Sequence, residues 1–244
     1  MDFSGKTAIA TGAASGMALL FLQKMAEAGA NVVLTDANEE AVLAAAEEIR
    51  GRGGKAVGVA VDIRRYDQIE KAVNLAVETF GGVDYLMNSA GGAASRIWKQ
   101  PDFGTASIES IEWCIDVNLK GAVLFSRAVL KQMCGRKSGV IINMGSIDGV
   151  IGGSVDYGAA KSGMIGLSKG LAIYGAPHGV RSVCVSPGPV LTRPGMANMK
   201  TLIGHAAEPI EVVELIMFLC SDKAASITGC NYQIDGGRSC ATGS

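Results

Sequence analysis

The chain has few of the features that mark specialised partners. Charged residues make up 18% of it and sum to a formal net charge of −1, with no Lys/Arg-rich block. Nothing here favours a nucleic-acid or anionic-membrane partner. Histidine is nearly absent: His178 and His205 stand alone, neither at ligand spacing from a Cys or another His, so no metal site is expected. The six cysteines (Cys114, Cys134, Cys184, Cys220, Cys230, Cys240) are scattered without C-x-x-C spacing. They read as reduced, mostly buried small hydrophobes of a cytoplasmic protein. Long apolar runs are missing too. Residues 26–34 are interrupted by Glu27, Gly29 and Asn31, which argues against a membrane span. Residues 1–5 show no basic segment leading into an apolar one, so no secretory signal is expected. What the chain does have is 48% hydrophobic residues over 244 positions, enough for one large core and too many for intrinsic disorder.

Those apolar residues are grouped in a repeating order. Short apolar runs at residues 7–11, 31–35, 56–61, 83–88, 140–144, 182–185 and 232–234 predict strands. Between them lie helical patterns at 16–29, up to about 50, 66–80, 107–135, 156–174 and 208–220. The strands are continuous apolar runs, as expected when both faces of a sheet are covered. Strands separated by helices imply parallel pairing through right-handed crossovers. The expectation is an α/β protein: a single doubly wound Rossmann-type domain over residues 1–244, with a mainly seven-stranded parallel sheet. In such a sheet ligands bind beyond the carboxyl ends of the strands, so the residues just after each strand carry the functional information.

After the first strand comes Thr11-Gly12-Ala13-Ala14-Ser15-Gly16-Met17-Ala18. Gly12 permits a tight turn, and Gly16 lets backbone approach a pyrophosphate at a helix N-terminus, where free N–H groups and the dipole favour anions. Gly12, Ser15, Gly16 and Met17 are therefore candidate phosphate-cradle residues. Asp36 follows the second strand, where a carboxylate can accept hydrogen bonds from both adenosine ribose hydroxyls and would repel a 2′-phosphate. NAD is thereby favoured over NADP. Asp36 could instead cap the helix that begins near Asn38. Asp62 and Ile63 end the third strand, placed to accept from the adenine amino group and to pack on its ring. Asn88-Ser89-Ala90-Gly91 after the fourth strand offers small residues and Asn88 to a ligand close to the backbone.

The fifth strand runs into Ser146, followed by Tyr157 and, four residues on, Lys161. Positions i and i+4 share a helix face, so phenol and ammonium can share a pocket. A free phenol, with pKa near ~10, is a poor base at neutral pH. A cation ~4 Å away at an effective dielectric of ~20 stabilises a phenolate by roughly 4 kcal/mol. Tyr157 can then exchange a proton with a substrate oxygen, and Ser146 can hydrogen-bond the same oxygen. The hydride would come from a nicotinamide held beside the reacting carbon. Small residues flank this pair (Gly158, Ala159, Ala160, Gly163, Gly166), and the glycines among them lower the helix propensity, so packing must hold the segment.

Taken together, these residues resemble the short-chain dehydrogenase/reductase family, in its compact single-domain branch. The matching pieces are Thr11-Gly12-x3-Gly16, Asn88-x-Ala90-Gly91, Asn118, Ser146, Tyr157-x3-Lys161 and Pro187-Gly188, in family order up to Asp235-Gly236-Gly237. The resemblance implies an NAD(H)-dependent enzyme interconverting a secondary alcohol and a ketone, with Asn118, Ser146, Tyr157 and Lys161 catalytic. It implies that Asn118 helps hold a water-linked proton relay through Lys161, and that Lys161 binds the nicotinamide ribose. It also implies that Val190 and Thr192 contact the nicotinamide carboxamide, and that the protein is a homodimer or homotetramer. Two alternatives stand beside this reading: a 3-oxoacyl thioester reductase of fatty-acid synthesis, and a nucleotide-binding protein without chemistry.

The departures from the family pattern are local. Ala18 replaces a third glycine and Ser89 a frequent second Asn, and the Ser146–Tyr157 spacing is slightly short. The run between Gly91 and Asn118 is a few residues long and carries Arg96, Trp98, Lys99 and Phe103, which could border the substrate entrance or form an ordinary surface insertion. The segment from Gly188 to about His205 is roughly half the family length. It implies a more open pocket, or one completed by a neighbouring subunit.

Overall fold

An apolar run stays continuous along a strand only where both faces of the sheet are covered. Strand β1 (Thr7–Thr11) is buried at every residue, and its side chains divide between two cores. Ile9 faces one side with Val33, Leu86 and Ile141, while Ala8 and Ala10 face the other with Val32, Leu34, Met87 and Ile142. This is the two-residue period of a pleated strand, with both sets of side chains apolar. The protein is described by a computed structural model covering residues 1–98 and 102–241, with backbone alone at residues 95 and 96. The expected borders Arg96 (its side chain) and Lys99 therefore lie outside what is described.

The remaining strands are β2 (Asn31–Asp36), β3 (Lys55–Ala60), β4 (Tyr85–Asn88), β5 (Gly139–Met144), β6 (Val180–Pro187) and β7 (Asn231–Ile234). They form one parallel sheet in the order β3-β2-β1-β4-β5-β6-β7. The winding reverses between β1 and β4, which opens a crevice above their carboxyl ends. Helices α1 (Gly16–Glu27), α2 (Glu39–Gly51) and α9 (Pro209–Cys220) cover one face, through Phe21, Leu22, Val42, Val212 and Ile216. Helices α3 (Tyr66–Phe80), α6 (Gly121–Arg136) and α8 (Val155–Gly175) cover the other, through Ile69, Phe125, Val129 and Leu171. The edge strands are less enclosed than a continuous apolar run implies: β3 and β7 are mostly half-buried.

Three features differ from the sequence expectation. The pattern over 107–135 is not one uniform helix. It is α5 (Ile108–Ile115), a π-helical turn Asp116–Lys120 and then α6. Two short helices that the sequence does not announce, α4 (Ser95–Trp98) and α7 (Asp148–Ile151), flank the crevice loops. Strand β6 extends beyond 182–185 at both ends because Val180 and Arg181 pair with β5 and Ser186 and Pro187 with β7.

Beneath the crevice a polar thread crosses the second core. Asn88 Nδ2 donates to Ser126 Oγ at 3.0 Å and to Asn143 Oδ1 at 2.8 Å; Asn143 Nδ2 in turn donates to Ser168 Oγ at 2.8 Å and Ser182 Oγ at 3.3 Å. All five residues are buried. The thread ties β4, β5 and β6 to α6 and α8 by directional bonds, whereas an apolar core would allow these elements to slide.

Candidate active site

The crevice loops are held to one another by main-chain donors. Thr11 Oγ1 accepts from the N–H groups of Ser89 and Ala90, both at 2.9 Å, drawing the loop after β4 onto the turn after β1. Gly12 is needed at that contact: a Cβ there would sit 2.9 Å from the Ala90 Cα, on a backbone with φ +68°. Ser15 stands at the N-cap of α1 with its side chain unused in the cap, and the first turn of α1 (Gly16, Met17) carries no acidic residue. The N–H groups and dipole of that helix end therefore face the crevice without a protein anion.

Asp36 at the end of β2 is part of this scaffold. Its Oδ2 accepts from the Ala14 N–H at 3.1 Å and its Oδ1 from the Asn38 N–H at 2.9 Å. It does not cap α2; Asn38 does, accepting from the Ala41 N–H at 3.1 Å. Asp62 is placed beside it but is already engaged. Arg64 donates to both carboxylate oxygens, at 2.7 to 3.2 Å, and holds the Asp62 carboxyl below the usual carboxylate range. Ile63 lines the same hollow and packs against Gly121. Asn88 departs from expectation: its side chain points into the polar thread below and lines neither crevice cavity.

Two cavities make up the crevice. One, of about 360 Å³, lies over β1–β3 and includes Gly12, Ser15, Asp36, Asp62, Ile63 and Arg64. The other, of about 280 Å³, includes Met17, Ser146, Tyr157, Lys161, Val190 and Thr192. Ser89 and Gly91 line both, so the two meet end to end. An elongated hollow with a carboxylate at one end and a bare helix N-terminus midway fits a dinucleotide. A larger depression of about 840 Å³ on α3, α6 and α8 lies away from these residues.

Ser146, Tyr157 and Lys161 converge in the second cavity. Lys161 is only 4% exposed and donates to the Met144 carbonyl at 2.7 Å, while its Nζ stands 5.6 Å from the Tyr157 ring centroid. Burial disfavours its charged form and pulls its pKa down to about 8; the thiols of Cys184 and Cys114 oppose that shift weakly. The Ser146 Oγ accepts from the Asp148 N–H at 3.2 Å, which leaves its own proton free to be donated. Asn118 is fully buried in the π-turn. Its Nδ2 donates to the carbonyls of Gly92 and Cys114, both at 2.9 Å, and its Oδ1 accepts from the Gly92 N–H at 2.9 Å. The wider turn makes room for that side chain, a common use of π-bulges at functional sites. A side chain at Gly91 would collide with Asn118, so this crossing also requires glycine.

Val190 and Thr192 sit on a short segment that is tied down. Val190 bridges to Ala207, and the Leu191 and Ala207 N–H groups donate to Ala207 and Pro189 carbonyls at 2.9 Å each. Arg64, Asp148 and Arg193 also line the crevice, and sequence reasoning did not single them out. Only Arg64, two residues from Asp62, carried a pairing signal.

Fold and crevice together define an oxidoreductase-type α/β scaffold, and the relatives of the chain agree. Residues 12–239 match the family described as "Enoyl-(Acyl carrier protein) reductase". Oxidoreductase UcpA of Salmonella typhimurium is 34% identical, over 96% of this chain and 94% of that protein. The trans-4-hydroxycyclohexanecarboxylate dehydrogenase of Sinomonas cyclohexanicum is 36% identical, over 95% and 92%. A 3-alpha-(or 20-beta)-hydroxysteroid dehydrogenase of Mycobacterium bovis is 35% identical, over 96% and 89%. In structure, a short-chain type dehydrogenase/reductase from Mycobacterium marinum superposes with a TM-score of 0.90 at 30% identity, covering 98% of this chain and 97% of that one. The chain belongs to the short-chain dehydrogenase/reductase family and is an oxidoreductase.

The buried lysine has a thermodynamic cost with a defined sign. Its pKa is lowered in the folded protein relative to ~10.4 in an unfolded chain. The cost is therefore full below about pH 8 and vanishes as pH rises past ~10.4. Lys161→Met should raise stability at pH 7 by roughly 1 kcal/mol, about 2–4 °C in Tm for a protein of this size. The gain should shrink towards pH 10, as read by thermal denaturation across pH.

Proposed function

We propose that the whole chain acts as one NAD-binding and catalytic domain that interconverts a secondary alcohol and a ketone. The observation that carries this reading is the convergence of Ser146, Tyr157 and the buried Lys161 in one cavity that joins the hollow above β1–β3. The nicotinamide, when bound, accepts or supplies the hydride.

The residues of the chain do the rest. Ser146 donates its hydroxyl proton to the substrate oxygen and holds it in place. The Tyr157 hydroxyl exchanges the proton with that oxygen. The Lys161 ammonium favours the phenolate electrostatically, and it persists below about pH 8. It also binds the nicotinamide ribose. Asn118 fixes the Gly92 loop beside these groups, both ends of its amide spent on that loop and on Cys114, and helps hold a water-linked proton relay through Lys161. Gly12, Ser15, Gly16 and Met17 receive the pyrophosphate, Val190 and Thr192 the carboxamide, and Asp62 with Ile63 the adenine.

Asp36 supports NAD over NADP. Among the described residues the one guanidinium lining its hollow, that of Arg64, is engaged by Asp62, so none of them offers a free cation to a 2′-phosphate. Relatives named for a hydroxycyclohexanecarboxylate and a hydroxysteroid support an alicyclic alcohol as substrate. The depression on α3, α6 and α8, bordered by exposed Val123 and Tyr174, supports a homo-oligomer. No helix among the described residues is long and apolar enough to cross a membrane.

Removing the Tyr157 hydroxyl tests the chemistry. Tyr157→Phe should lower kcat by at least about 10³-fold while leaving the Kd for NADH within about twofold. Near-normal turnover would reject the assigned acid/base. Asp36→Ala should raise the ratio of NADP to NAD kcat/KM by about tenfold or more; an unchanged ratio would remove Asp36 from cofactor choice.

A further inference from the structure

The cavity that holds Ser146, Tyr157 and Lys161 contains a second cation with no assigned task. Arg193, exposed at the rim, lines it together with Ile147, Met196 and Met199. Among the described residues its guanidinium hydrogen-bonds to the Met196 thioether alone, at 3.8 Å, and no carboxylate lies within ion-pair distance. This sets it apart from the other arginines whose side chains are described. Arg50, Arg52, Arg64, Arg65 and Arg136 pair with carboxylates. Arg127 lies over the Tyr66 ring, and Arg181 and Arg238 donate to main-chain carbonyls. The carboxylate in the cavity wall, that of Asp148, is packed against Gly153, where an added Cβ would sit 2.8 Å from its Oδ2.

Arg193 is also carried by an anchored segment. Behind it, Val190 bridges to Ala207; ahead of it, the Leu202 and Ile203 N–H groups donate to the Gly236 carbonyl at 2.8 and 3.2 Å. Arg238 donates to the Lys200 carbonyl at 2.7 Å. The short segment after Gly188 is thus pinned onto the loop after β7, with a fork of donors left over at the catalytic cavity.

We propose that Arg193 is a specificity residue that binds a carboxylate on the substrate, so that the enzyme acts on a hydroxy acid or oxo acid with a compact apolar frame. This rests on the alcohol–ketone reading above. A guanidinium presents paired donors that match a carboxylate in two parallel hydrogen bonds. The methionines and Ile147 supply an adaptable apolar wall for the frame between carboxylate and carbinol carbon. The pyrophosphate of the cofactor is the other anion within this crevice, and the test separates the two.

The test measures binding to the enzyme loaded with oxidised cofactor, where a ketone cannot react. Calorimetry with 4-oxocyclohexanecarboxylate and with its neutral carboxamide should show the acid bound at least about tenfold more tightly by the wild type. Arg193→Met, which keeps a long unbranched side chain, should erase that preference and leave the carboxamide affinity and the cofactor Kd within about twofold. Equal binding of acid and carboxamide, no binding of either, or a preference that survives in Arg193→Met would overturn the proposal. So would a weakened cofactor Kd in the variant with the acid preference unchanged, which would assign Arg193 to the pyrophosphate. Turnover of the corresponding alcohol, followed in parallel, checks the dehydrogenase reading separately. Selective binding without turnover would count against that reading and not against the carboxylate site.

Discussion

The arrangement depends on one buried charge. Lys161 is lifted out of water on α8, where, among the described residues, its ammonium donates to the Met144 carbonyl at the end of β5 alone. Among the described residues no carboxylate is paired with it. Burial of an unpaired charge is expensive, and a fold retains it only where the surroundings are rigid enough to keep the lysine from escaping to solvent. That rigidity is visible in the thread from Asn88 through Asn143 to Ser168 and Ser182, which locks β4, β5, β6, α6 and α8 around it.

The same logic explains the uneven distribution of glycine and small residues. The turn after β1 must touch the loop after β4, and the loop after β4 must pass beside Asn118. At both crossings a methyl group would collide, so Gly12 and Gly91 are required. The helix carrying Tyr157 and Lys161 holds five glycines, and its Gly163 lies flat against Leu119. Its stability comes from packing, which fixes its rotation and thereby the direction of both side chains.

Much of this was legible in the sequence because the strands are continuous apolar runs and the site residues follow them. Helix α3 occupies the residues its pattern predicts, 66–80, since Ile69, Ala72, Val73 and Ala76 form an unbroken helical stripe. The π-turn was not legible, because one extra residue in a turn barely disturbs the apolar period between α5 and α6. The direction of the Asn88 side chain follows from a rule the sequence does contain: it lies two residues beyond Leu86, so strand parity directs it into the same core and away from the crevice. Parity also places Asn143 with Ile141. The pairing of Asp62 with Arg64 needed a side-chain direction that no spacing rule supplies. The isolation of Arg193 is a property of space, since it depends on carboxylates that might have approached from distant segments.

The central claim is that Lys161 is a buried ammonium poised close to neutrality, and a nitrogen NMR titration of its side chain tests it most directly. The resonance is identified by its loss in Lys161→Met. The account predicts a midpoint of about 8 in the folded protein. A midpoint at ~10.4, that of a lysine in water, would contradict it.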